Sequence, residues 1–351
     1  MNQLESQLEY PFGDTLPAIG AVLPLAPGLG WLRMPLPFAL DHINLWLLAD
    51  GEGFAAVDCG VATDATRAAW EQVFGGATMA SQPLTRVIAT HCHPDHIGLS
   101  DWLCKRFGAP FWITTGEYGF GRMMSAALPG VDGTAAIPHF QRHGLAGDDL
   151  LAQMQTRRNY FPSLVPAVPE SYTRMRDGDQ FAIGKHSWRV IAGFGHSPEH
   201  ASLYCGELGV LISGDMVLPR ISTNVSVFAV EPEGNPLQLY LDSLGRFDEL
   251  PADTLVLPSH GRPFRGLHTR IAQLRAHHEA RLAEVVAACA EAPRSAMDIV
   301  PVMFKRQLDA HQLTFALGEA LAHLHKCWAD GVVRRVTGTD GIIRFQSAHK
   351  E

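Results

Sequence analysis

Short apolar runs set off by glycine- and proline-bearing turns fill most of the chain, and longer helical periodicities take over near its end. Residues 20–60 have the pattern of paired strands. Ile43 to Ala49 is apolar, Asp50-Gly51-Glu52-Gly53 supplies a turn, and Phe54 to Val57 is the returning strand. Residues 62–74 switch to a helical period, with Thr63 or Asp64 as cap and Ala68, Ala69, Trp70 and Val73 inward. Leu84 to Thr90 reads as a strand running into a loop, Ile97 to Phe107 as a helix, and Ala109 to Ile113 as the next strand. Further strands are predicted at Gln180–Ile183, Trp188–Ala192, Ala201–Cys205, Val210–Ile212 and Thr254–Leu257. Leu267 to Ala290 is one strongly helical stretch. Ser295 caps a helix over Ala296–Lys305, and Asp309 or His311 opens another that runs to Ala329 and stops at Asp330-Gly331. Val332–Val336 and Ile342–Phe345, joined by a Thr-Gly-Thr-Asp-Gly turn, make a terminal hairpin.

A chain of 351 residues is long enough for about two domains, here drawn as 1–265 and 266–351. An apolar fraction of 46% and a charged fraction of 18% fit a soluble globular protein with a substantial core. The net charge of −8 argues against a chain built to coat nucleic acid or an anionic membrane. No apolar run approaches the roughly 20 residues of a membrane span. Glu5, Glu9 and Asp14 precede the first apolar stretch, so no secretory signal is visible and the cytoplasm is the expected compartment. The six cysteines are scattered without a CxxC pair, which fits free thiols in a reducing compartment.

The chemistry concentrates in Thr90-His91-Cys92-His93-Pro94-Asp95-His96-Ile97-Gly98. Three imidazoles and a carboxylate within six positions are donors for zinc and other borderline divalent metals. If the strand persists to His93, His91 and His93 share a side and Cys92 points away, because side chains alternate along a strand. Pro94 then turns the chain, so that Asp95 and His96 face a second position. Gly195-His196, Gly214-Asp215 and Ser259-His260-Gly261 each follow a predicted apolar strand and supply further donors beside a turn. Asp58, ending an early strand, is expected to accept hydrogen bonds behind the ligands. His200 is expected to be structural. His42 is open between the pocket and an exposed loop.

This set of motifs, in this order from Asp58 through His260, resembles the metallo-β-lactamase superfamily over roughly residues 20–265. The resemblance implies a four-layer αββα sandwich with two metals at one edge. His91, His93 and His196 would hold one metal, Asp95, His96 and His260 the other, and Asp215 would bridge them. The Gly-His-Ser-Pro-Glu-His run at 195–200 and the helices followed by a wing resemble the branch with a C-terminal winged helix, whose lactamase-beta-like members sit beside glyoxalase II.

Two neighbouring divalent ions can share a hydroxide whose pKa falls toward ~7, with no need of a Ser or Cys nucleophile. Zinc is the default, and iron or manganese suit the same donors. Asp95 is the candidate to orient that hydroxide and move its proton. The leading expectation is a hydrolase of small-molecule thioesters or esters. An endoribonuclease of the winged-helix kind is the alternative, opposed by the acidic charge and the lack of a basic path for phosphates. Lys and Arg barely outnumber Asp and Glu in 266–351, so that region is expected to serve packing or a homodimer rather than DNA. Residues 114–177 are long for a connection and should carry their own helices. Met123, Met124, Phe140, Tyr160 and Phe161 would either form a lid that receives an apolar part of the substrate or make a satellite core.

Overall fold

The computed structural model describes residues 4–38, 40–79 and 82–348. Its first sheet has seven strands in sequence order: β1 Leu23–Ala26, β2 Leu29–Pro35, β3 His42–Asp50, β4 Gly53–Val57, β5 Leu84–Ile88, β6 Phe111–Thr114 and β7 Thr173–Met175. The second has five, in the order β12-β11-β10-β9-β8, from β8 Gln180–Ile183, β9 His186–Gly193, β10 His200–Cys205, β11 Val210–Gly214 and β12 Leu255–Pro258.

Strand alternation sorts the apolar residues into three layers of core. Trp46, Leu48 and Val57 meet Val190, Leu203, Ile212 and Leu257 between the sheets. One position along, Leu45, Leu47 and Ala56 point the other way, onto α1 (Asp64–Gly75) and α3 (Ser100–Phe107). Ile191, Leu211 and Val256 likewise turn to the far face, against α8 (Pro236–Leu244), α9 (Leu267–Glu291) and α11 (Ala310–Ala329). Both sheets are thus buried on both faces, and the chain forms a four-layer αββα sandwich.

The expected helix over 97–107 is broken in two. A single turn, α2 (Pro94–Ile97), comes first, and α3 starts at Ser100. The join at Gly98 is packed too tightly for a side chain. A Cβ there would sit 2.6 Å from the carbonyl oxygens of Gly60 and Pro94 and 2.7 Å from that of Leu164.

The 114–177 segment carries α4 (Thr115–Ser125), α5 (Ala136–Gln141), α6 (Asp148–Gln155) and α7 (Tyr160–Leu164), and it also contributes β7 to the first sheet. Phe140 and Met154 are buried with the C-terminal helices, and Phe161 and Leu164 with the outer face of the first sheet. Much of its apolar content is therefore core, while Met123 remains exposed.

The helix α8 has no counterpart among the sequence expectations. It is capped by the Asn235 side chain, with Pro236 in its first turn. After α9, α10 (Ala296–Met303) and α11 comes the antiparallel hairpin β13 (Val333–Thr337) and β14 (Ile343–Ser347). Capping boxes at Ser295 and Asp309 start α10 and α11. No helix among the described residues is long and apolar enough to cross a membrane.

Candidate metal centre

Five chain segments reach the site, each just after a strand: Asp58 after β4, residues 91–96 after β5, His196 after β9, Asp215 after β11 and His260 after β12. Strands packed on both faces hold these loops, which fixes the geometry better than free loops would. His93 keeps extended backbone at φ −64° and ψ 154°, and Pro94 opens α2 directly behind it. Asp95 and His96 therefore sit on the first turn of a helix rather than on an irregular bend.

All seven donors expected from the sequence come together. His91 Nε2 is 2.9 Å from His93 Nδ1 and 3.2 Å from His196 Nε2. His260 Nε2 lies 3.3 Å from Asp95 Oδ2 and 3.5 Å from Asp215 Oδ1. His96 Nε2 lies 3.6 Å from Asp95 Oδ2 and 3.8 Å from Asp215 Oδ1. The other oxygen of Asp215 is 3.5 Å from His196 Nε2, so this carboxylate touches both groups.

Hydrogen bonds behind the rings fix what faces inward. His196 Nδ1 donates to the Asn224 carbonyl at 2.7 Å, His260 Nδ1 to the His42 carbonyl at 2.9 Å, and His96 Nδ1 to Asp58 Oδ2 at 2.8 Å. These oxygens only accept, so each Nδ1 carries the hydrogen and each Nε2 presents a lone pair to the centre. Unless a proton or a cation intervenes, these lone pairs confront one another and the carboxylate oxygens. His96 Nε2 and Asp215 Oδ1 are buried with no hydrogen-bond partner. Such a set is costly without a cation and suits imidazole- and carboxylate-binding divalent metals.

The electrostatics divide the same way. Burial, helped by the neighbouring His96, His93 and His196, holds His91 far below its ordinary pKa, and burial with His196 beside it brings His93 down to about 3. Both are neutral imidazoles at pH 7. Burial opposes charge on His96, but Asp58, Asp95 and Asp215 outweigh it and push the pKa up to about 9. His260 is raised for the same reason, with Asp215 and Asp95 overcoming its burial. Burial would raise Asp95, yet His96 and His260 bring it down to about 2. That half of the cluster holds a surplus of negative charge, and a metal ion can take the place of the proton.

The supporting residues fall where the sequence pointed and where it did not. Asp58 is fully buried, with the left-handed φ of 62°. It accepts from the Thr90 backbone N–H at 2.8 Å and the Thr90 hydroxyl at 2.9 Å as well as from His96. His42 is not an exposed loop residue: its Nε2 accepts from the Gly261 N–H at 3.1 Å, next to the His260 that its carbonyl orients. Asn44 donates to the carbonyls of Pro258 and Gly261 at 2.8 and 2.9 Å, pinning the same loop. His200 Nε2 accepts from the Asp215 N–H at 3.1 Å, and a Cβ on Gly214 would lie 2.2 Å from that nitrogen. Cys92 is buried away from the donors and its N–H bonds Glu117 Oε2 at 2.9 Å.

Glu117, on the first turn of α4, is the residue that sequence reasoning missed. Its other oxygen accepts from the Ser197 hydroxyl and from the Glu199 N–H, both at 2.6 Å. One buried carboxylate thus clasps the loop of His91 and His93 to the loop of His196. Glu199 returns the clasp by accepting from the Gly116 N–H at 2.8 Å. A glutamate shortly after a strand, in Thr-Gly-Glu-Tyr, was the available signal, and it is a weak one.

A family model described as "Metallo-beta-lactamase superfamily" matches residues 39–260, and one described as "Metallo-beta-lactamase-like, C-terminal domain" matches residues 282–348. The probable metallo-hydrolase YqjP of Bacillus subtilis (strain 168) is 24% identical over 306 residues, covering 84% of this chain and 90% of that protein. The crystal structure of a beta-lactamase domain protein from Burkholderia ambifaria matches with a TM-score of 0.94 and 57% identity, over 99% of this chain and 100% of that one. That of a metallo-beta-lactamase family protein from Thermus thermophilus gives 0.78 and 31%, over 92% and 100%.

Proposed function

The chain belongs to the metallo-β-lactamase superfamily of metal-dependent hydrolases, and from that premise we propose that it is a dinuclear enzyme cleaving a thioester or ester of a small molecule. The observation that carries this reading is the meeting of seven donors in two groups joined at Asp215. His91, His93 and His196 would hold one cation, and Asp95, His96 and His260 the other, with Asp215 between them. Zinc is the first choice, and iron or manganese fit the same donors. Two divalent cations bound there supply a hydroxide at neutral pH and polarise the oxygen of the scissile group.

The chain's own residues do the rest. Asp95 stays anionic beside His96 and His260 and is partly open to solvent. It orients the attacking water, accepts its proton and passes it toward the leaving group. Asp58, His42 and Glu117 hold the ligands in place, so little reorganisation is needed on substrate binding.

The second reading is an endoribonuclease. Three helices followed by a hairpin at the C-terminus support its winged-helix part. Against it, arginines of that region are spent on ion pairs: Arg335 with Glu233 at 2.7 Å, Arg344 with Asp340 at 2.7 Å and Arg281 with Glu284 at 2.7 Å. This leaves little positive potential to follow a phosphate backbone. The C-terminal helices instead complete the core on the second sheet, which supports a packing role and a unit of 266–351 resting on a catalytic unit of 1–265.

Metal-loaded protein assayed on p-nitrophenyl esters, acyl-CoA and glutathione thioesters, nitrocefin and single-stranded RNA separates these readings. Ester or thioester turnover is expected, falling ~10²–10⁴-fold in Asp95→Asn. Turnover of RNA alone, lost in the same variant, would replace this reading with the nuclease.

A further inference from the structure

Residues 215–235 join β11 to α8 without helix or strand. Their first part, 215–227, forms a strap behind the metal centre, with Met216, Val217, Thr223, Val225 and Val227 buried along it. The strap meets three of the loops that carry donors. It begins with Asp215 itself, whose carbonyl accepts from the Thr223 hydroxyl. The Asn224 carbonyl accepts from His196 Nδ1 at 2.7 Å. Pro219 closes on the loop of His260, where a Cβ on Gly261 would lie 2.7 Å from Pro219 Cγ. Buried backbone with no helix or sheet ladder of its own must find its hydrogen-bond partners elsewhere.

Partners for the strap come from the C-terminal helices. Arg270 on α9 is buried, and it donates from Nε to the Leu218 carbonyl at 2.6 Å and from Nη2 to the Ile221 carbonyl at 2.8 Å. Its third nitrogen donates to Gln273 Oε1 at 3.1 Å, which fixes the fork on the helix. A planar guanidinium spans two carbonyls in this way, and an ammonium does not. Gly318 lies inside α11, where alanine would favour the helix more. The glycine has a reason in the packing: a Cβ there would sit 2.6 Å from Ser226 Oγ and 2.7 Å from Ser226 Cβ. The Gly318 carbonyl also accepts from the Val227 N–H at 3.2 Å, and the Ser226 hydroxyl donates to Asn224 Oδ1 at 2.9 Å.

We propose that Arg270 and Gly318 are positioning residues of the metal centre. Acting through the strap, they hold Asp215 and His196 where both can reach a cation, so the C-terminal helices complete a site whose donors all belong to the other unit. The proposal rests on the two-metal reading above for what those donors do.

The test uses the full chain. Gly318→Ala should bind zinc about tenfold more weakly than wild type in chelator competition. Its cobalt-loaded form should show an altered visible d–d absorption as His196 and Asp215 move. Ser226→Gly removes the atoms that the new methyl meets, so adding Gly318→Ala in that background should change zinc affinity by no more than about twofold. Arg270→Lys keeps the charge but reaches one carbonyl, and it too should lose about tenfold in zinc affinity. Metal-free protein carrying isotope-labelled histidine supplies a readout that needs no zinc. The Nδ1–H signal of His196, assigned through its loss in His196→Gln, should shift or exchange faster in Gly318→Ala and Arg270→Lys. Variants that keep the wild-type zinc affinity, cobalt spectrum and His196 signal, with only a lower urea midpoint, would reduce these contacts to ordinary packing and overturn the proposal. So would an equal cost of Gly318→Ala in both Ser226 backgrounds. A wild type that binds no zinc would sink the metal reading, and the His196 signal would then decide the strap by itself.

Discussion

Replacing Glu117 by Gln is the sharpest test of how the metal centre is held. The side chain is fully buried and accepts three hydrogen bonds, from Cys92 N–H, Ser197 O–H and Glu199 N–H. Glutamine keeps the shape but has one acceptor oxygen. That oxygen best serves the side with two donors, which points the new NH₂ at the Cys92 N–H. One bond to a charged acceptor, worth ~1.5–3 kcal/mol, is then lost, and a buried N–H is left facing another donor. A destabilisation of about 2–3 kcal/mol follows, read as a lower urea midpoint. Cys92 lies between His91 and His93, so the same change shifts two of the proposed metal donors against His196. Losses of about 10–100-fold in metal affinity are typical when such supporting bonds are removed. Zinc affinity of Glu117→Gln, measured by competition with a chromophoric chelator, should fall in that range. Affinity within twofold of wild type, together with an unchanged urea midpoint, would refute the clasp.

Two other perturbations probe different links. Asp58→Asn keeps a residue that tolerates the left-handed backbone but turns an amide NH₂ toward donors from Thr90 or His96. Zinc affinity should fall ~10–100-fold by the same chelator competition, and an unaltered affinity in a folded variant would exclude a role for Asp58 behind His96. Glu319 on α11 tests pH dependence. Burial raises its pKa to about 7, against the opposing pull of Arg281 and Asn224. The native state then holds a proton that the unfolded chain releases from about pH 4.5 upward. Its contribution to stability is therefore present at low pH and is lost as pH rises to 7, by roughly 3 kcal/mol at most. Glu319→Gln should gain on wild type between pH 5 and 8 in urea denaturation, and parallel profiles would disprove the assignment.

The metal loop was legible because its logic is local. His91 and His93 stand two positions apart in the short stretch that leaves β5 after Ile88, and Pro94 opens α2 directly behind His93. The helix α8 is equally local, since Asn235-Pro236 before Leu237, Tyr240 and Leu244 carries a cap and an apolar face. The break at Gly98 was different. It depends on Gly60 and Leu164, which reach it only through the packing of other elements.

By itself the sequence determined the strand ends, the donor types and the alternation that buries both faces of each sheet, because these follow from neighbours a few residues apart. Tertiary structure alone decided which lone pairs face each other and that Glu117 reaches Ser197 and Glu199. These hydrogen bonds join groups 80 and 82 positions apart, and no local pattern records a contact that exists only once the sheets, helices and loops have packed.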